Sequence, residues 1–317
     1  MAKAEPPGDL PEPANAGQAL RWAADRLRRA GCDTPRLDTE VLLAHVTGRR
    51  REALLAHPEQ ILTPDEAVRF RDVVARRGAR CPVAYLTGRR EFLSLEFEVG
   101  PGVLIPRPET ELLVEVAVSL AGRGAAGPTP EAPAGRGLRL ADVGTGSGAV
   151  ALALARLLPG AAILATDISA AALACAARNA ARLLPEGPPH RVTFHPGDLL
   201  EALAVIDPRP VLDGVVANLP YVSEADWAGL PPDVRDYEPV AGLLGGPAGL
   251  DLLRRLAAQL PDYLAPHGFV CLEVGFGQAS AVRSLLGATG LFAATAAHRD
   301  LAGHERVVSA AAGQNTR

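Results

Sequence analysis

The stretch Asp142-Val143-Gly144-Thr145-Gly146-Ser147-Gly148 decides the fold class. It follows a short apolar run at 138–143 and precedes a helical pattern, and its glycines allow a tight turn and a close approach to a ligand. Further apolar runs without clear alternation, typical of strands covered on both faces, occupy 162–166, 192–195, 211–217 and 269–274. Because helical patterns separate most of these runs, residues 106–317 are predicted to form a Rossmann-like α/β domain with a doubly wound, mostly parallel sheet.

Two parts of this domain depart from the alternation of strands and helices. Residues 292–298 and 306–309, on either side of Gly303, predict an antiparallel hairpin at the edge of the sheet. A stretch rich in glycine and proline at 122–137 is predicted to be a surface loop.

The region before the α/β domain has a helical period from 16 to 80, which predicts a small helical domain. Within it, Thr63-Pro64-Asp65-Glu66 offers an N-cap oxygen, a proline at the first helical position and a carboxylate three residues after the cap. The period changes to two at 92–99, so that residues 81–105 are predicted to be a linker containing a β-hairpin. The proline-rich residues 1–15 predict a disordered tail.

Composition limits the classes of function. A net charge of −4 argues against stable binding of nucleic acid by bulk electrostatics. The arginines concentrated at 16–90 indicate either solvated helix faces or a surface that docks on an acidic partner. The longest apolar run, 149–165, is interrupted by Arg156 and Pro159, and the N-terminus has no apolar signal segment, so we expect a cytoplasmic protein without membrane association. The four cysteines, at 32, 81, 175 and 271, have neither zinc-site nor redox spacing, so no metal site is predicted.

Acidic residues follow each of the first three predicted strands of the α/β domain. Asp167 is placed to accept hydrogen bonds from both ribose hydroxyls of an adenosine, Asp198 can accept one from an adenine amino group, and Leu199 can cover the ring. With the glycine loop, these residues fit S-adenosylmethionine better than a dinucleotide, although Gly144, Gly146 and Ala149 also match a dinucleotide fingerprint. The predicted cofactor-binding residues are Asp142, Gly144, Thr145, Gly146, Ser147, Gly148, Asp167, Asp198, Leu199 and Asn218.

The predicted catalytic motif is Asn218-Leu219-Pro220-Tyr221, at the end of the fourth strand. An amide nitrogen is a poor nucleophile, so catalysis must hold both of its N–H bonds and aim the nitrogen at the methyl donor. The Asn218 side-chain oxygen can accept one N–H and a main-chain carbonyl of the following residues the other, while Tyr221 can stack on the planar group. Leu219 precedes Pro220 and is therefore biased to an extended conformation. The motif itself does not distinguish a glutamine amide from an adenine amine.

Several motifs together resemble the peptide chain release factor glutamine N5-methyltransferases. They are Tyr85-Leu86-Thr87-Gly88, Glu91-Phe92, Pro106-Arg107-Pro108-Glu109-Thr110-Glu111, the Asp142 to Gly148 loop and Asn218 to Tyr221. The resemblance implies a class I methyltransferase domain preceded by a helical domain and a β-hairpin. It also implies that the substrate is the glutamine of the Gly-Gly-Gln motif in class I release factors. Gly144 to Gly148, Asp167 and Asn218 are then expected to contact S-adenosylmethionine, and Asn218, Leu219, Pro220 and Tyr221 the glutamine.

The chain departs from the family pattern at Leu219, where the usual motif is Asn-Pro-Pro-Tyr. A leucine carbonyl accepts a hydrogen bond as well as a proline carbonyl, so the required groups remain. The main alternative is an adenine N6-methyltransferase that acts on RNA or DNA, since Asn-Leu-Pro-Tyr also occurs in enzymes that dimethylate adenine in ribosomal RNA. Net acidity and few aromatic residues disfavour it.

Overall fold

The computed structural model describes residues 9–124, 137–184 and 191–312. These residues divide into two compact units, one comprising the chain up to Arg89 together with Pro231–Tyr237, and the other comprising Arg90–Leu230 and Glu238 onward. The boundary lies nine residues beyond the predicted end of the helical domain at 80, because a further short helix follows that point. The assignment of Pro231–Tyr237 to the first unit was not predicted.

The first unit, called the helical unit below, is built from short helices. They are α1 (Ala16–Arg29), α2 (Pro35–Thr47), α3 (Arg51–Ala56), α4 (Pro64–Gly78) and α5 (Val83–Thr87), joined by α9 (Pro232–Arg235), which is numbered by its place in the chain. The predicted capping box starts α4, where Thr63 Oγ1 accepts from the Glu66 amide at 3.2 Å and the Glu66 carboxylate accepts from the Thr63 amide at 2.8 Å. Leu27, Leu42 and Phe70 are fully buried between the helices.

Residues 9–15, which we had expected to belong to the disordered tail, pack on the helical unit. Leu10 and Ala14 are buried, and the Leu62 amide donates to the Ala14 carbonyl at 2.9 Å. Asn15 caps α1 with its side-chain oxygen. The expectation of a tail was wrong for this stretch because two small apolar groups and one cap attach it, in spite of its prolines. Residues 1–8 lie outside the described residues.

The second unit, called the catalytic unit below, begins with the predicted hairpin, β1 (Arg89–Phe92) and β2 (Leu95–Glu98). A seven-stranded sheet follows, in the order β5-β4-β3-β6-β7-β9-β8. Its strands are β3 (Arg139–Val143), β4 (Ala162–Asp167), β5 (Val192–Pro196), β6 (Leu212–Ala217), β7 (Leu264–Glu273), β8 (Ala294–Arg299) and β9 (Glu305–Ala311). The first five are parallel, and β9 runs antiparallel to both β7 and β8. The predicted fold class, including the antiparallel edge hairpin, is confirmed.

Two apolar cores separate the sheet from the helices of this unit, which are α6 (Thr110–Gly124), α7 (Ala149–Leu157), α8 (Ala170–Leu183), α10 (Asp251–Tyr263) and α11 (Ala279–Ala288). Burial on both faces explains why the strands lack a polar alternation. The strand order reverses between β3 and β6, which are neighbours although β4 and β5 intervene in the chain. Such a switch point at the carboxyl ends of the strands is where sheets of this type bind ligands. Of the predicted insert at 122–137, residues 125–136 lie outside the described residues.

Candidate active site

A cavity of about 510 Å³ lies at the carboxyl ends of β3, β4, β5 and β6. This volume falls within the range of sites for small molecules, roughly 300–1,000 Å³. Of the predicted site residues, those that line it are Gly144, Thr145, Gly146, Ser147, Asp167, Asp198, Leu199, Asn218, Leu219 and Pro220. Asp142, Gly148 and Tyr221 are predicted site residues that lie outside this lining. The sheet topology therefore brings four separate segments of the sequence to one cavity.

The glycine loop connects β3 to α7 through positive backbone angles. Gly144 has φ of 77°, and a Cβ added to it would lie 3.1 Å from Leu219 Cδ2. Leu219 is 3% exposed and belongs to the core beneath the loop. Leu219, which replaces the usual proline of the family motif, thus fills the space that the missing side chain of Gly144 leaves open. A side chain at 144 would be strained and would displace Leu219.

Asp142 supports the loop from beneath. Its side chain is buried at 1% exposure, and Oδ2 accepts hydrogen bonds from Thr145 Oγ1 at 2.6 Å and from the Ala151 amide at 3.0 Å. Burial raises the pKa of this carboxyl group to about 7, against the lowering effect of these two hydrogen bonds. In this structure Asp142 organises the loop and the start of α7, and a direct contact with the cofactor stays a prediction.

Asp167 ends β4 and faces the cavity with both carboxylate oxygens in fixed positions. Oδ2 accepts from the Gly146 amide at 2.9 Å and Oδ1 from the Ser169 amide at 2.8 Å. A carboxylate oxygen has more than one acceptor direction, so each can accept a further hydroxyl. The two backbone amides therefore orient the carboxylate that we predict to bind a ribose.

The segment after β5 contributes Asp198 and Leu199. Asp198 forms an ion pair with Arg255 of α10, on the cavity wall. Leu199 is buried and has φ of 51°, a left-handed conformation that is uncommon for leucine and tends to be found at functional sites. This backbone places a leucine side chain against the cavity, as a residue that covers an adenine ring requires.

The Asn218 side chain has a defined orientation at the end of β6. Its Nδ2 donates to Thr110 Oγ1 at 3.0 Å, which leaves Oδ1 as the group that accepts from a ligand. Two glycines hold the backbone that follows: a Cβ at Gly245 would lie 2.4 Å from the Pro220 carbonyl oxygen, and one at Gly249 would lie 2.1 Å from the Tyr221 carbonyl oxygen. The carbonyls of the motif are thus held by close backbone packing.

The Tyr221 side chain points toward the end of β7. Its hydroxyl donates to Glu273 Oε1 at 3.3 Å, and burial beside that carboxyl group raises the pKa of the phenol. Its predicted stacking on the acceptor group stays a prediction. No role was predicted from the sequence for Thr110, Glu273, Gly245 or Gly249. Thr110 lies inside the segment 106–111 that resembles the family. Of these four residues it is the only one that the sequence motifs included.

Glu273, the last residue of β7, is a second buried carboxyl group and has no exposed surface. Its pKa is raised to about 7, mainly by burial, while the Thr110 hydroxyl, Arg306 and Tyr221 act to lower it and Glu109 to raise it. The site thus contains two carboxyl groups, those of Asp142 and Glu273, that retain their protons at pH values well above the ordinary pKa of a carboxyl group.

These raised pKa values predict how stability depends on pH. Between about pH 4 and 7 the folded chain holds protons on Asp142 and Glu273 that the unfolded chain has released, so both groups make the free energy of unfolding fall as pH rises. The double variant Asp142→Asn, Glu273→Gln lacks this titration. We expect its stability relative to the natural protein to rise by a few kcal/mol from pH 4 to 7 and then level off. Urea denaturation at pH 4.5, 6 and 7.5 measures it, and a difference that is constant with pH would contradict the assignment.

Among residues 9–124, 137–184 and 191–312, no helix has the length and apolar character needed to cross a bilayer. Within the same ranges, no group of three or more histidine, cysteine, aspartate or glutamate side chains is arranged to hold a metal ion.

Comparison with known protein families matches two segments of the chain. Residues 18–88 match the PrmC N-terminal domain, and residues 140–235 match a methyltransferase domain. The second match contains the glycine loop, Asp167, Asp198 and Asn218. The first match ends one residue before the boundary of the helical unit at Arg89.

The chain is similar to solved structures of a protein methyltransferase and of an RNA-bound catalytic domain. The protein-(glutamine-N5) methyltransferase (release factor-specific) from Alicyclobacillus acidocaldarius is 31% identical, covers 68% of this chain and 99% of its own, and has a TM-score of 0.41. The hMettl16 catalytic domain in complex with the MAT2A 3'UTR hairpin 6 has a TM-score of 0.54 at 15% identity, over 78% of this chain and 84% of its own. The second likeness shows the fold alone.

Curated relatives match almost the entire chain. The release factor glutamine methyltransferase of Moorella thermoacetica is 43% identical over 91% of this chain and 95% of its own length. That of Geobacter sulfurreducens is 39% identical over 95% of this chain and 98% of its own. These matches confirm the resemblance that the sequence motifs indicate, and the chain belongs to the release factor glutamine methyltransferase family.

Proposed function

We propose that this protein transfers the methyl group of S-adenosylmethionine to the side-chain amide nitrogen, N5, of the glutamine in the Gly-Gly-Gln motif of class I peptide chain release factors. The observation that carries the proposal is the Asn218 amide, whose Nδ2 is bound to Thr110 so that Oδ1 remains to accept an N–H bond in the cavity. Family membership supports the choice of substrate.

The cavity residues fit S-adenosylmethionine on structural grounds. The left-handed Gly144 leaves room for close approach of a ligand, and the Asp167 carboxylate is oriented by two amides toward hydroxyl groups. Leu199 supplies an apolar surface for an adenine ring, and Asp198 an acceptor for its amino group. When bound, S-adenosylmethionine supplies a methyl group activated by a positively charged sulfur.

The motif residues then bind and orient the glutamine amide. Asn218 Oδ1 accepts one N–H, and a main-chain carbonyl of the following residues accepts the other. Both contacts strengthen as the nitrogen gains positive charge, so they favour the transition state. The carbon–nitrogen bond forms as the carbon–sulfur bond breaks, and the nitrogen then loses one proton to water.

The helical unit is the proposed docking surface for the release factor. The arginines concentrated at 16–90 fit a surface that docks on an acidic partner, and the family match covers 18–88. The protein would act in the cytoplasm, where release factors work, and would not bind nucleic acid stably. The second candidate, adenine N6 methylation, uses the same acceptor chemistry.

Mass spectrometry separates these two candidates. The protein is incubated with labelled S-adenosylmethionine and, in separate reactions, a class I release factor, the same factor with its Gly-Gly-Gln glutamine replaced by glutamate, and ribosomal RNA. We expect label only in the first, on that glutamine. Label in RNA alone would establish the adenine alternative, and label in the glutamate-containing factor would show that another residue is the acceptor.

A further inference from the structure

Glu273 is a buried carboxyl group that the proposed reaction does not use directly. It ends β7, beside the catalytic motif, with no exposed surface. Oε1 accepts from the Tyr221 hydroxyl at 3.3 Å, and the Thr110 hydroxyl acts to lower the pKa of this carboxyl group. Among the described residues, Glu273 Oε2 has no hydrogen-bond partner. Burying such a group costs free energy, so its position calls for a role beyond packing.

Thr110 links this carboxyl group to the catalytic asparagine. It is the first residue of α6, is buried, and its Oγ1 accepts from Asn218 Nδ2 at 3.0 Å. A hydroxyl has one proton and two acceptor directions. When that proton is donated to Glu273, only acceptor directions face Asn218. The Asn218 amide must then present its NH₂ to Thr110 and its oxygen to the cavity.

We propose that Thr110 and Glu273 are positioning residues for methyl transfer, which together fix the orientation of the Asn218 amide and the Tyr221 hydroxyl. The inference rests on the proposed function, since it assigns these residues to the site at which the glutamine amide binds. Without the pair, the Asn218 amide can rotate by half a turn and present its NH₂ to the substrate glutamine. Two hydrogen-bond donors, this NH₂ and the glutamine N–H, would then face each other. Thr110 and Glu273 act through Asn218 and Tyr221 and do not touch the reacting atoms.

The ionised form of Glu273 performs this role best, because it accepts from both hydroxyl groups and donates to neither. The charged or titratable groups around it are Arg306 on β9, Glu109 ahead of α6 and Tyr221 after β6. Arg306 also donates to the Val274 carbonyl at 3.3 Å, adjacent to Glu273. Because burial raises the pKa of Glu273 to about 7, kcat should increase as pH rises through neutrality.

Variants of Thr110 test the positioning role. Thr110→Val keeps the shape but removes the hydroxyl, and we expect kcat to fall about 10-fold to 100-fold, the effect of losing one buried hydrogen bond of roughly 1–3 kcal/mol. The KM for S-adenosylmethionine and the thermal shift that it produces should stay unchanged. Thr110→Ser, which retains the hydroxyl, should restore most of the activity. Equal kcat for the valine variant and the natural protein would overturn the inference.

The pH profile of Glu273→Gln provides the second test and does not depend on the first variant folding. The amide places an NH₂ donor where the carboxylate has an acceptor oxygen and does not titrate. We therefore expect reduced kcat that is constant from pH 6 to 8, whereas kcat of the natural protein rises. A glutamine variant that retains the natural pH dependence would overturn the role of Glu273. If the natural protein methylates no release factor glutamine, the proposed function itself has failed, which is a separate outcome.

Discussion

Replacing Asn218 by alanine is expected to lower kcat about 100-fold to 1,000-fold, as removal of a preorganised transition-state contact does in other enzymes. Asn218 Oδ1 is the side-chain acceptor that the structure orients toward the cavity, through the bond from Nδ2 to Thr110. Alanine removes the acceptor and leaves one amide N–H unsupported while charge develops on nitrogen. Single-turnover kinetics with a release factor measure the rate of transfer directly.

Cofactor binding should change much less in this variant. The glycine loop and Asp167 also line the cavity, and their hydrogen bonds do not involve Asn218. Titration with S-adenosylmethionine, followed by thermal shift, measures the loss of affinity. Ser223→Ala is a matched control, since Ser223 lies on the same loop but is bound to Asp226, and its kcat should stay within about twofold of the natural protein. Unchanged turnover in Asn218→Ala would show that the site is misplaced.

The parts of the fold that the sequence predicted are those governed by local chemistry. The capping box at Thr63 could be predicted because its groups lie within three residues of each other in the sequence. The glycine loop is readable because its positive backbone angles favour glycine. Strands β3, β4 and β6 could be predicted because burial on both faces selects continuous apolar runs. The start of β7 at Leu264, five residues before the predicted strand at 269, was missed because Pro266, His267 and Gly268 interrupt its apolar run.

The parts that could not be predicted depend on contacts between distant segments. Thr110, Asn218 and Glu273 meet because α6, β6 and β7 are adjacent in the catalytic unit, and no spacing in the sequence indicates this. A threonine at the start of a helix is usually only a cap. Likewise, Gly245 and Gly249 are ordinary turn residues until the carbonyls of Pro220 and Tyr221 occupy the space of their absent side chains. The sequence therefore indicated the groups that contact ligands better than the groups that position them.

The assignment of Pro231–Tyr237 to the helical unit has a local cause within that unit. Arg77 of α4 binds Asp38 of α2 at 2.7 Å and Asp233 of α9 at 3.4 Å, and its side chain is 5% exposed. It also donates to the Cys81 carbonyl at 3.3 Å. The Tyr237 hydroxyl donates to the Ala79 carbonyl at 2.5 Å. One buried guanidinium thus joins three segments of the unit.

Replacing Arg77 by methionine is expected to destabilise the helical unit by about 3–5 kcal/mol, the usual cost of breaking a buried ion pair from one side. Methionine retains much of the apolar volume but leaves the Asp38 carboxylate without its cation, while Asp233 keeps its ion pair with Arg80 at 3.0 Å. The neighbouring Arg76→Met is the matched control. Arg76 is 55% exposed and pairs with Asp72 at 3.9 Å, so its loss should cost at most about 1 kcal/mol.

Urea denaturation that reports on the helical unit alone measures this difference. Trp22 lies in α1 near Phe70, and the second tryptophan, Trp227, lies in the catalytic unit. In a Trp227→Phe background, fluorescence therefore follows Trp22. Equal stabilities of the Arg77 and Arg76 variants would exclude a role for the buried cluster.

A double variant distinguishes two possible causes of the destabilisation by Arg77→Met, an unpaired buried charge and lost packing. If the destabilisation arises from the Asp38 carboxylate left buried without a cation, then Arg77→Met combined with Asp38→Asn should recover part of the loss, because the second change removes that unpaired charge. If it arises from lost packing, the second change should add a further loss. Amide hydrogen exchange at 231–237 should be faster in Arg77→Met than in the natural protein, since Arg77 is one of two cations that hold Asp233 of that segment.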